Sequence, residues 1–174
     1  MTTAPTLPSN TLSNDAYYSM FENCTSLTTA PALPYTSTIG SCYKRMFFGC
    51  TSLTTPPPQL PATQLSSSAC YGDMFNGCTS LTYSPEIFAT SFSSSATWAL
   101  GSMFKGCTQL STIKIHYTGN FTSGVPNNAF TDWVNGVAGS GTFYYDGTDT
   151  TRGDSAIPEG WTIKPYACLS FEAK

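Results

Sequence analysis

Cysteine and histidine are the residues here with the widest chemical repertoire, and this 174-residue chain holds seven of the first and one of the second. Cys24, Cys50, Cys78 and Cys107 occupy one place in a recurring word. Cys42 and Cys70 belong to a second series, and Cys168 stands apart. A structural zinc site needs close Cys-x₂₋₄-Cys pairs, and there are none. Stacked repeats would set equivalent cysteines about 5 Å apart, within disulfide range, but parallel side chains in a ladder are poorly aimed at each other. The spacing therefore predicts buried free thiols that pack as small hydrophobes, with disulfides as the alternative. Nucleophilic catalysis would need a base beside Cys or Ser. The one candidate base is His116, and no Gly-x-Ser-x-Gly elbow accompanies it. Six of the ten acidic residues follow residue 130, scattered rather than paired for glycoside hydrolysis. The chain reads as a non-enzyme, with no catalytic residue and no cofactor.

The stretch "DGTDTTRGD" (146–154) concentrates acids and glycines. Asp146, Asp149 and Asp154 form a weak alternative Ca²⁺ set, but their spacing fits no calcium-loop consensus. A Gly- and Asp-rich hairpin tip is the favoured reading, with no metal. Arg152-Gly153-Asp154 also spells a tripeptide used by integrin ligands, a match that three letters reach readily by chance.

The cysteines owe their spacing to a repeat. "MFENCTSLTTAP" (20–31) returns as "MFFGCTSLTTPP" (46–57), "MFNGCTSLTYSP" (74–85) and "MFKGCTQLSTIK" (103–114). Self-similarity at this period is the mark of a solenoid, in which one unit cannot bury its own apolar face and stacked units can. Cys42, Met46 and Cys50 fall at i, i+4 and i+8, as do Cys70, Met74 and Cys78, and this spacing predicts a short helix in each unit. Asn14, Ser41 and the serines at 66–68 and 93–95 would be its N-caps. The residue before each repeated Cys is Asn23, Gly49, Gly77 or Gly106, a set suited to a left-handed helix end. Leu27, Leu53, Leu81 and Leu110 then open extended segments. Only "LSTIKIHYT" (110–118) alternates well, with Ile113 and Ile115 inward, while Pro31, Pro56, Pro57, Pro58 and Pro85 keep the earlier strands very short.

The word Met-Phe-x-Gly-Cys-x-Ser-Leu at a period near 26 resembles the repeats of bacterial surface proteins, the BspA-like branch of the leucine-rich repeat family, also met in gut phage proteins. The resemblance covers about residues 2–115. It implies a right-handed β/α solenoid and roles in adhesion or binding, and it carries over no catalytic residue. The expected fold class is thus α/β: a leucine-rich-repeat solenoid over 1–115, in four repeats near 2–27, 28–53, 54–81 and 82–110. Residues 116–166 differ in texture and read as a small α+β C-terminal cap. Its helix, near 131–137, carries the stripe Phe130, Trp133, Val134 and Val137. Residues 167–174 read as the start of a further domain or a linker, and "MTTAPTLPSN" reads as the middle of a repeat rather than a signal peptide.

Function is narrowed by what the composition cannot support. Seven Lys and Arg, spread thinly, make no phosphate-binding patch, so nucleic acid is not an expected partner. No apolar run approaches the roughly 20 residues of a membrane helix. The expected outward positions on the strand side are Thr29, Pro31, Thr55, Pro57, Tyr83, Pro85, Thr112, Lys114 and His116. Tyr83, Lys114, His116 and Tyr117 form the candidate ligand patch. The expected function is an extracellular binding or adhesion module that meets protein or glycan on a cell surface, with a parent protein at the cell surface, secreted or on a virion. The alternative is a structural spacer with no ligand of its own.

Overall fold

The computed structural model describes residues 2–8, 12–126 and 128–168. It is a β-solenoid of parallel strands with no α-helix among the described residues, which corrects the α/β leucine-rich-repeat expectation. One side is a parallel sheet in the order β1-β3-β5-β6-β7. Its strands are β1 (Gln59–Leu60), β3 (Tyr83–Ile87), β5 (Thr112–Ile115), β6 (Thr142–Tyr144) and β7 (Thr162–Lys164). Single bridges Thr3↔Thr29↔Thr55 mark the earlier coils, where the prolines leave no longer ladder. A second, two-stranded sheet joins β2 (Gln64–Leu65) to β4 (Ser91–Phe92).

The remaining side is where the helices were expected. Residues 14–23, 40–49, 68–77, 97–106 and 128–136 form rows of consecutive turns instead. Alternate N–H groups in a row close local turns, as when Met46 N–H donates to the Tyr43 carbonyl at 3.2 Å. The others reach the next coil: Tyr43, Arg45, Phe47 and Gly49 donate to the carbonyls of Cys70, Gly72, Met74 and Asn76 at 2.8–3.0 Å. An α-helix spends all its interior N–H groups on itself and could not do this. The backbone turns because φ becomes positive about every fourth residue, at Asp15, Ser19 and Asn23, at Asp73 and Gly77, and at Asn128, Asp132 and Gly136. Gly, Asn and Asp tolerate that conformation best, and they supply most of these positions. Asn23, Gly49, Gly77 and Gly106 do have positive φ, as members of this series rather than as helix ends. The expected cap serines have other work: Ser66 and Ser67 hydroxyls both donate to the Thr38 carbonyl, at 2.9 and 3.1 Å.

A repeat of four in the backbone gives a repeat of four in the side chains. Cys42, Tyr43, Met46, Phe47 and Cys50 all point inward and are fully buried, as are Cys70, Tyr71, Met74, Phe75 and Cys78. Each then meets its own counterpart one coil away. Phe21, Phe47, Phe75 and Phe104 stack with ring centroids 5.5–5.6 Å apart, and Tyr17, Tyr43 and Tyr71 do so at 5.4–5.5 Å. The thiols of Cys50, Cys78 and Cys107 donate to the carbonyls of Phe21, Phe47 and Phe75 in the preceding coil, at 3.0–3.1 Å.

The segment expected as an α+β cap extends the same ladders. Leu100, Ser102, Phe104 and Gly106 donate to the carbonyls of Ala129, Thr131, Trp133 and Asn135 at 2.8 Å. Strand β6 pairs in parallel with β5, and β7 with β6. The expected helix near 131–137 is therefore another turn row. Phe130, Trp133 and Val134 are buried in it, with Trp133 against Phe104, Phe121, Phe130 and Phe143. The described residues end on a 3₁₀ turn, Tyr166–Cys168. Most of the segment read as a following domain (169–174), and Met1, lie outside the described residues.

Candidate binding face

Strand parity and one bulge set the outer face of the parallel sheet. In β5, Ile113 and Ile115 are buried while Thr112 and Lys114 are only partly covered, and His116 continues the outward series. In β3 the register slips between Tyr83 and Glu86, so that Tyr83 sits beside Thr112 and Glu86 beside Lys114. Ser84 spans the slip, accepting from Lys114 N–H at 3.1 Å and donating to the Pro85 carbonyl at 2.8 Å. Two rows result. One runs Tyr83, Thr112, Thr142, Thr162, and the other Glu86, Lys114, Tyr144, Lys164.

At the end of these rows His116 is held from three directions. Its Nε2 lies 2.9 Å from Glu86 Oε1, and its ring is stacked between Phe88 at 4.6 Å and Tyr166 at 4.2 Å. Burial, with Glu86 and Asp146 nearby, pushes the Tyr166 phenol up from its ordinary pKa. Asp146 in turn accepts from the Tyr166 N–H at 2.8 Å, which anchors the final turn on the face. The result is a shallow strip with one prominent ring: Tyr83 is 41% exposed, one of few large apolar side chains so open.

The structure brings Tyr83, Lys114 and His116 onto this face but not Tyr117. Tyr117 follows His116 by one residue, so the period of two turns it inward. It is 7% exposed, donates to the Asn120 carbonyl at 3.1 Å and packs on Phe92, Phe121 and Phe130. Pro31, Pro57 and Pro85, expected outward, are buried as well. Glu86, Phe88 and Tyr166 went unassigned in the sequence. Glu86 and Phe88 stand four and two residues before Thr90 in a stretch whose bulge hides their parity, and Tyr166 returns from a distant coil.

The other candidates take structural places. Asp149 accepts from Phe121 N–H at 2.8 Å and from Thr151 N–H at 2.9 Å. Its burial opposes ionisation, but the Thr151 hydroxyl, which donates to Oδ1 at 2.6 Å, and these N–H groups outweigh it and hold the carboxyl below the usual range. Asp146 is engaged with Tyr166 and Asp154 with Asn135, so the three acids are not drawn together. No cluster of three metal-ligating side chains is found among the described residues. The Arg152 guanidinium donates to the Trp161 carbonyl at 2.9 Å and the Pro158 carbonyl at 3.3 Å, turning that end of the tripeptide inward. All seven cysteines are free, Cys24 and Cys168 being partly exposed and the rest buried. Burial pushes the thiols of Cys50, Cys70 and Cys107 up to about 12, the opposite of an activated nucleophile. A depression of about 290 Å³ beside Phe121, Asn128, Phe130 and Ser155 has no charged side chain in its wall. Among the described residues, no helix is long and apolar enough to cross a membrane. Comparison with known protein families, with curated proteins and with solved structures finds no match for this chain.

Proposed function

We propose that this chain is a non-enzymatic binding module that contacts a glycan or protein on a cell surface through the outer face of its parallel sheet. The observation that carries the reading is the strip of Tyr83, Glu86, Lys114 and His116 on a rigid ladder. An open aromatic ring beside groups of both charges is the combination that grips a sugar ring or a polar peptide. Rigidity matters because a preformed surface spends less free energy on ordering when it binds. The likeness of the repeat word to bacterial surface protein repeats supports a cell-surface, secreted or virion setting for the parent. The test is titration of isotope-labelled protein with panels of oligosaccharides and peptides, read as chemical-shift changes. The expected changes cluster on Tyr83, Lys114 and His116 and disappear in Tyr83→Ala and Lys114→Ala. Saturating binding that leaves this face unmoved would sink the proposal.

A spacer is the second reading, favoured by the rest of that face. Thr3, Thr29, Thr55, Thr112, Thr142 and Thr162 give it short neutral side chains over much of its length. A face without any ligand across those panels would leave this reading standing.

A further inference from the structure

The first and last described turn rows present chemically different edges. Each row sends alternate N–H groups toward the coil that follows and accepts on alternate carbonyls from the coil before. In the first row the carbonyls of Ala16, Tyr18, Met20 and Glu22 are equivalent to those of Cys42, Lys44, Met46 and Phe48, yet accept nothing among the described residues. Tyr18 and Met20 beside them are 46% and 47% exposed. In the last row the outward N–H groups belong to Phe130, Asp132, Val134 and Gly136. An edge of acceptors at one end and an edge of donors at the other, with the same alternate-residue spacing, fit each other. Two copies stacked head to tail would repeat the coil-to-coil interface already made four times within the chain. Such a contact does not close on itself and would grow into a filament.

The loop at 151–158 lies across the donor edge. Asp132 N–H donates to Ser155 Oγ at 3.0 Å and Val134 N–H to the Asp154 carbonyl at 3.1 Å. Trp133 Nε1 donates to the Ala156 carbonyl at 2.7 Å, and the Asn135 side-chain amide donates to the Asp154 carboxylate. The loop is itself braced by the Arg152↔Ile157 bridge and by Arg152 on the Trp161 carbonyl. We propose that this loop, Arg-Gly-Asp tripeptide included, is a plug that prevents a second copy of the chain from stacking its Ala16–Glu22 acceptor edge on the last turn row.

Two measurements test it. In the intact chain, hydrogen exchange should find the Asp132 and Val134 amides strongly protected, with the chain monomeric by sedimentation. Rapid exchange at both, or head-to-tail oligomers of the intact chain, would overturn the plug. In a second chain, residues 152–157 are replaced by Gly-Ser-Gly. Sedimentation should then show a concentration-dependent shift from monomer to multiples of the chain mass, and Met20→Lys in the same chain should return it to monomer. A replaced chain that keeps the native circular dichroism and stays monomeric refutes the proposal, as do oligomers indifferent to Met20→Lys. Should the replaced chain fail to fold, Ser155→Ala in the intact loop decides, since it must release protection at Asp132 and leave the Phe104 amide untouched.

Discussion

Gly49 and Gly77 occupy the same place in successive coils, with φ of 69° and 77°, and they should not tolerate alanine equally. The left-handed region costs an L-residue roughly 1–2 kcal/mol. Part of this is offset because alanine also narrows the unfolded ensemble, by about 0.5 kcal/mol. A Cβ on Gly77 would meet only the Gly49 backbone, at 3.7 Å, which is ordinary contact. Gly77→Ala should therefore cost about 1 kcal/mol and nothing more. A Cβ on Gly49 would instead stand 2.3 Å from Asn23 Oδ1, because the Asn23 side chain lies over the glycine of the next coil. Driving that amide off its rotamer adds about 0.5–1.5 kcal/mol, for a total near 2 kcal/mol. The excess belongs to one contact, so it must vanish when Asn23→Gly removes the amide, as a double-mutant cycle read by urea denaturation would show. Gly77→Ala as stable as the parent would mean that the turn geometry is wrong. An excess at Gly49 that survives in the Asn23→Gly background would mean the coils are not stacked in this register.

Gly77→Asn should cost less than Gly77→Val, since its amide would lie over Gly106 as Asn23 lies over Gly49, while a β-branched residue at positive φ is strained; melting temperatures rank the two. Cys50, Cys70, Cys78 and Cys107 should resist a thiol reagent at pH 8 in native protein and react once it is unfolded without reductant; their failure to appear after unfolding would point to disulfides. The same thiols set a pH dependence. Folding raises their pKa, to about 12 for Cys50, Cys70 and Cys107, so their contribution is intact below the unfolded value near 8.5 and is lost as pH rises from there toward 12. Urea midpoints that hold steady from pH 8 to 11 would contradict it. Trp133→Ala should cost about 3–5 kcal/mol, because it opens a cavity under Phe104 and Phe121 and strands the Ala156 carbonyl, and Trp133→Phe should cost clearly less.

The repeat and its inward positions were legible in the sequence, and the misreading of the turn rows has a specific cause. Cys42, Met46 and Cys50 sit four residues apart, and an α-helix also returns to nearly the same face after four residues, about 40° past one revolution. Over so short a row the two periods place the same residues inside. The neighbours could have separated them. Tyr43 and Phe47 accompany Cys42 and Met46 inward, and Asp15, Ser19 and Asn23 or Asn128, Asp132 and Gly136 mark a strict four-residue series of turn formers. That second series also shows why 116–166 was set apart. The segment lost the Met-Phe-Gly-Cys word but kept the backbone grammar. On the sheet face, Tyr117 was misplaced against the parity of its own strand. Glu86 was hidden by a bulge, which no alternation of apolar and polar residues reveals.

The geometry also accounts for why the chain repeats one word so faithfully. In a parallel stack every inward position faces its own counterpart, so a change in one coil must be accommodated by the same position in two others. Phenylalanine stacks on phenylalanine at 5.5–5.6 Å, and the thiols of Cys50, Cys78 and Cys107 each answer a phenylalanine carbonyl one coil back. A cysteine fits there because serine would bring a fully polar hydroxyl into an apolar ladder, whereas a thiol donates weakly and packs as a hydrophobe. Outward positions carry no such mutual constraint. The row that reads threonine at 29 and 55 turns to Tyr83 in the next coil, where Glu86, Lys114 and His116 also gather. The stack itself does not require that change, and a ligand for the sheet face would.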